Sequence, residues 1–227
     1  MKRFSLWFFV LVSIANLVAI LLDERIGQLI TKPLILCSLL FYYWVSTSRR
    51  STVFTLALVF SLLGDVSLLF AHAGEHYFIG GLVSFLIAHV FYIVTYRQMR
   101  IKGIGQELLG TQRVRFSFPV MLVGAGLVLT LFPLLGSLQI PVVIYASVLV
   151  LMVLQAIYRF GFTTPGSFRM VVTGALFFFV SDIILALNKF LHPIEGGELM
   201  IMVTYILAQY FIVQGVRAHP YGKATAE

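Results

Sequence analysis

Two aspartates, Asp65 and Asp182, interrupt segments that are otherwise almost wholly apolar. The first lies in Leu63-Gly64-Asp65-Val66-Ser67-Leu68 and the second in Val180-Ser181-Asp182-Ile183-Ile184-Leu185. A carboxylate inside a membrane-length apolar run is expensive to place, so each is a candidate functional site. Two neighbouring carboxyl groups in a poor solvent do not both ionise, and the pair then offers a proton donor beside a carboxylate. That combination suits a reaction through an oxocarbenium ion, in which one group protonates and the other activates water. The same residues would also serve a proton-coupled transporter of small molecules or lipids. The plain structural alternative is helix–helix adhesion, with each Asp satisfied by nearby hydroxyl or backbone donors.

Other polar residues line up with this pair. Ser61 is one turn before Asp65, and Lys189 is two turns after Asp182. Phe85, His89, Tyr92 and Tyr96 recur at helical spacing, as do Tyr205 and Gln209 further on. Gly174, Ser181 and Asn188 form a small, polar face suited to close helix packing. His89 reads either as a core histidine or as a site residue, and Tyr92, Tyr145 and Tyr205 either as packing or as positioning groups. Lys32 and Lys189 either snorkel to the interface or meet an anionic headgroup. His72-Ala73-Gly74-Glu75-His76 fits an H-x-x-E-H zinc pattern, but glycine at its centre, in an expected turn, favours a solvated loop over a metal site. No metal and no cofactor are expected.

The elements that must hold these residues follow from composition. Of 227 residues, 60% are hydrophobic and 11% charged, whereas soluble domains run at roughly 45–50% and about 25%. Lipid is the natural solvent for the excess. Hydrocarbon-length runs are expected near 5–22, 33–48, 53–71, 77–97, 116–135, 139–158, 168–189 and 198–216. The fold class is therefore all-α and integral to a membrane, as one domain over 1–227 with eight transmembrane helices. The first run resembles a secretion signal, but the alternation of basic loops works best if it is read as a retained helix.

All but three of the 16 Lys and Arg fall in alternate loops if the N-terminus is cytoplasmic; the exceptions are Arg25, Lys32 and Lys189. Both termini are thus expected on the cytoplasmic side, and the pattern suits a bacterial inner membrane. The net charge of +7 is a matter of topology and not of nucleic-acid binding. Cys37, the single cysteine, leaves no disulfide framework. No obligate protein partner is evident.

An internal echo organises the chain. Beyond the two Asp segments, Phe85-Leu86-Ile87-Ala88-His89-Val90-Phe91 parallels Tyr205-Ile206-Leu207-Ala208-Gln209-Tyr210-Phe211, and Pro33 and Pro141 are read as opening the second and sixth helices. Two parallel four-helix repeats, about 1–100 and 113–218, are expected, related by an axis along the membrane normal. Asp65 and Asp182 would then lie at one depth.

The order and spacing of several segments resemble the YhhN/TMEM86 family, the lysoplasmalogenases. The likeness rests on Thr31-Lys32-Pro33-Leu34, Gly64-Asp65, Phe78-Ile79-Gly80-Gly81-Leu82, Phe85 through Tyr92, Gly174 through Asn188, and Tyr205 with Gln209. It covers most of the chain. The resemblance implies an eight-helix hydrolase that cleaves the vinyl ether of a lysophospholipid substrate, releasing a fatty aldehyde and glycerophospho-ethanolamine or -choline. On that reading Asp65 and Asp182 are the acid and base. His89, Tyr92, Tyr145, Asn188, Tyr205 and Gln209 position water or substrate, and Lys32 and Lys189 contact the headgroup phosphate.

Overall fold

The computed structural model describes residues 2–220, which form eight α-helices joined by turns. They are α1 (Lys2–Leu21), α2 (Arg25–Ser46), α3 (Thr52–Leu69), α4 (Glu75–Gln98), α5 (Gly110–Leu131), α6 (Gln139–Ile157), α7 (Pro165–Phe190) and α8 (Gly197–Arg217). Each is long and apolar enough to cross a membrane, and the chain is a multi-pass membrane protein. Their outward faces carry residues such as Leu11, Phe118, Leu129 and Ile140, all more than half exposed. A soluble protein does not tolerate so continuous an apolar surface; hydrocarbon does. Lys223, counted above among the basic residues, lies outside the described residues.

The chain divides after Tyr92 into two compact units. In the first, α1 and α2 are tied by Asn16, whose Nδ2 donates to Thr31 Oγ1 at 2.9 Å, while Thr31 Oγ1 donates to Gly27 O at 2.7 Å. The α2–α3 turn is closed twice. Ser51 Oγ caps α3 by accepting from Phe54 N, and Ser51 N donates to the Tyr43 hydroxyl at 2.9 Å. The Tyr43 ring then meets Phe54 edge-on, with centroids 4.9 Å apart. At the other end of α3, Arg25 donates to Leu69 O, placing a cation where the helix dipole is negative.

Pro33 corrects one expectation. It does not open α2 but sits inside it, and the helix begins at Arg25. A proline within a membrane helix is tolerated because neighbouring helices and hydroxyl side chains re-satisfy the backbone. Lys32 is consequently a helical residue, half-buried, and not a residue of the preceding loop.

In the second unit, two short 3-10 turns over Phe132–Leu138 link α5 to α6. The segment after α4 docks on the α6–α7 turn: Ile101 N donates to Phe162 O at 2.9 Å, and Arg100 Nη2 to Gln155 Oε1 at 2.7 Å. Arg159, one of the basic residues counted in the alternate loops, is fully buried. Its Nη2 donates to Ser167 Oγ at 2.9 Å, and Ser167 Oγ donates in turn to Gly215 O at 2.7 Å. Its guanidinium also lies 5.8 Å from the Tyr96 ring centre. One cation thereby joins the starts of α7 and the end of α8.

Candidate active site

Asp182 is held by its own unit. The Tyr145 hydroxyl, from α6, donates to Asp182 Oδ2 at 2.7 Å, and both side chains are buried. α6 and α7 are therefore joined at the carboxylate itself. The neighbouring Ser181 Oγ donates to Ile201 O at 3.0 Å, which joins α7 to α8 at the same level. On α8, Gln209 Nε2 donates to the Tyr205 hydroxyl at 3.3 Å, and Tyr205 packs edge-on against Phe178 with centroids 5.5 Å apart. Asp182, Tyr145, Ser181, Tyr205 and Gln209 thus share the core of the α6–α7–α8 group. Sequence pattern left Tyr145 open between packing and positioning; its hydroxyl contacts the carboxylate directly.

Asn188 and Lys189 stand farther along α7. Asn188 Oδ1 accepts from Ile194 N at 2.7 Å, so this side chain shapes the turn between α7 and α8. Lys189 is exposed in the last turn of α7, where a cation complements the helix dipole.

Asp65 is 2% exposed in the first unit. It stands one turn before Leu69, the last residue of α3, so it is about 6 Å from that helix end along the axis. Asp182 stands two turns before Phe190, about 12 Å from the end of α7. Ser61, a turn before Asp65, donates its hydroxyl to Ala57 O at 2.9 Å within α3. Phe85, His89, Tyr92 and Tyr96 are all buried on α4, and the Tyr92 ring lies 6.0 Å from that of Phe54. Gly64, next to Asp65, admits the Phe85 ring: a Cβ there would fall 2.6 Å from Phe85 Cδ2.

His72 and His76 do not share a helix. His72 lies in the turn before α4 and His76 in its first turn, its ring 4.2 Å from that of Tyr77. Among the described residues, no group of three His, Cys, Asp or Glu is placed to hold a metal ion.

A family model described as the YhhN family matches residues 27–216. The chain belongs to the YhhN family. Every candidate residue, from Lys32 to Gln209, lies inside the matched region. Among curated YhhN-related sequences, the chain is 30% identical over 200 residues to "Lysoplasmalogenase TMEM86A" of Homo sapiens, covering 79% of this chain and 75% of that protein. It is 30% identical over 171 residues to the Bos taurus protein of the same name, covering 73% of this chain and 65% of that one. "Lysoplasmalogenase TMEM86B" of Homo sapiens is 30% identical over 167 residues, covering 74% and 64%. The chain thus spans about two thirds to three quarters of the relatives it matches. No solved structure matches it significantly.

Proposed function

We propose that this YhhN-family chain is a membrane-embedded hydrolase that cleaves the vinyl ether bond of lysoplasmalogens or related lysophospholipids. The observation that carries the reading is a carboxylate, Asp182, buried inside a membrane-spanning helix and engaged by the Tyr145 hydroxyl. Its support is the 30% identity to proteins named lysoplasmalogenases.

The chemistry uses one water and no redox step. An acid delivers a proton to the vinyl carbon remote from the ether oxygen, which leaves an oxocarbenium ion. A base takes a proton from water as the water oxygen bonds to the carbon bearing the ether oxygen. The resulting hemiacetal then breaks its bond to the glycerol oxygen, which takes a proton as the hemiacetal hydroxyl gives one up to become the aldehyde carbonyl. The products are a fatty aldehyde and glycerophospho-ethanolamine or -choline. We assign the two proton-transfer roles to Asp65 and Asp182. Acid and base are assigned to the two as a pair, with Asp182 Oδ2 accepting from the Tyr145 hydroxyl. Tyr145 orients that carboxylate, while His89, Tyr92, Tyr205 and Gln209 position water and chain. Asn188 acts through the α7–α8 turn, and Lys32 and Lys189 take the headgroup phosphate. Cytoplasmic termini in a bacterial inner membrane complete the proposal.

The test is purified protein in mixed micelles with an alkenyl lysophospholipid and, separately, its acyl counterpart. Aldehyde release from the alkenyl lipid alone is expected. Substrate-driven proton flux in proteoliposomes with no product would favour transport and contradict this reading.

A further inference from the structure

The first unit carries a second constellation, at the opposite end of α3 from Asp65. The α2–α3 turn and the start of α1 line an open pocket of about 360 Å³, with Lys2, Arg50, Trp44, Thr47 and Ser48 among its walls. Among the described residues, no Asp or Glu lines it. Arg50 is fixed at its rim: Nε donates to Trp44 O at 3.2 Å, and the guanidinium sits 5.0 Å from the Trp44 ring centre. The terminal guanidinium nitrogens then remain as a planar fork of donors, the shape that matches phosphate. Thr47 is 9% exposed, and among the described residues its Oγ1 has no hydrogen-bond partner. A buried hydroxyl left unsatisfied calls for a ligand or water.

An apolar groove adjoins this pocket. Phe41 and Trp44 also wall a second, apolar groove of about 280 Å³, continued by Leu40, Thr55 and Val59 on α2 and α3. A basic, hydroxyl-lined pocket therefore adjoins, across two shared aromatic side chains, a groove walled by α2 and α3. Asp65 is thirteen residues along α3 from Thr52, about 20 Å away along the axis. This is not the candidate active site.

We propose that this is a binding site for an anionic glycerophospholipid of the surrounding membrane, its phosphate on Lys2, Arg50 and Thr47 and one acyl chain in the Leu40–Thr55–Val59 groove. Among the described residues no carboxylate lines the pocket with these two cations, so nothing there compensates the ammonium of a zwitterionic headgroup. The apolar groove selects a lipid over a soluble phosphate. A half-exposed Trp44 at the junction matches the preference of tryptophan for the headgroup level.

Trp7 and Trp44 are the two tryptophans of the chain, which makes a direct test available. Full-length protein carrying Trp7→Phe is reconstituted in phosphatidylcholine vesicles with increasing brominated-chain phosphatidylglycerol, or with phosphatidylcholine bearing the same brominated chain. Trp44 fluorescence is expected to be quenched at lower mole fraction by the brominated phosphatidylglycerol. Arg50→Gln and Lys2→Gln should each raise the half-quenching fraction about five-fold. Thr55→Phe, which fills the groove without touching a charge, should also abolish the preference. Lys2 is exposed in the first turn of α1, so Lys2→Gln reads the same contact if Arg50→Gln fails to fold. Equal quenching by the two lipids, or no effect of the charge variants, would overturn the site. Full relief of quenching by millimolar glycerol phosphate would overturn the lipid assignment in favour of a soluble anion, and no relief supports it.

Discussion

The α3–α4 pair and the α7–α8 pair each bear one buried Asp and each rely on a glycine for close approach, yet they close differently. At Gly64 the neighbour is a side chain, the Phe85 ring. At Gly174 the neighbours include backbone: a Cβ there would fall 2.7 Å from Ile212 Cγ1 and 2.8 Å from both Ala208 O and Ile212 N. A ring can tilt, whereas a helix backbone moves only as a whole. The carboxylates differ too. Asp182 accepts a hydroxyl from Tyr145 on the helix preceding its pair, whereas Cys37, which like Tyr145 stands four residues past a proline in the sequence, is exposed. The lesson is that like spacing in the sequence does not by itself place like side chains. Tyr145 is buried against its carboxylate, and Cys37 faces outward.

The largest expected effect breaks this comparison at its centre. Asp65→Asn and Asp182→Asn are each expected to lower kcat by about 100-fold or more, the range of a lost general acid or base. Steady-state aldehyde release checks both, and an active Asp65→Asn beside an inactive Asp182→Asn would show that only Asp182 is catalytic. Next, Tyr145→Phe should lower kcat about ten-fold at nearly unchanged KM, while Cys37→Ala should match the parent. Equal behaviour of these two variants would erase the asymmetry.

Much of this was legible in the sequence, for identifiable reasons. Length and apolarity specify a membrane helix almost unaided, so all eight spans could be located, and both Asp stood out by the cost of burying them. Pro33 misled because proline usually marks a helix start, and only packing by neighbours reveals that a helix continues through it. Arg159 drew no notice of its own, because a cation between apolar runs counts only as one of the loop charges that set topology. Its burial depends on Ser167 and Gly215, residues brought near only by the fold. The bond from Tyr145 to Asp182 was hidden for the same reason, since it joins residues 37 apart in the chain.

Smaller effects sharpen the packing contrast. Gly174→Ala should destabilise by about 1–3 kcal/mol, and Gly64→Ala by less, because the first displaces backbone and the second a side chain. Thermal melting in detergent compares them; a larger loss at Gly64 would reverse the account. The smallest effect concerns His219, just past α8 and bonded through Nδ1 to Thr163 Oγ1 at 2.9 Å. Burial, then the nearby Arg159 cation, pulls its pKa from 6.5 down to about 4. Between those values the unfolded chain holds a proton that the folded one does not, so stability falls as pH drops through that window. Above 6.5 the contribution is fully present. His219→Gln should flatten the melting profile between pH 6.5 and 4, and an unchanged slope would remove His219 as its source.

The most direct test of the central claim is a single turnover of an alkenyl lysophospholipid in D2O, followed by mass analysis of the trapped aldehyde. Protonation of the vinyl carbon by a protein acid in exchange with solvent predicts one deuterium on the carbon next to the aldehyde carbon. The same experiment with Asp65→Asn and with Asp182→Asn should yield almost no aldehyde. Aldehyde without deuterium, or full release by both variants, would contradict the account.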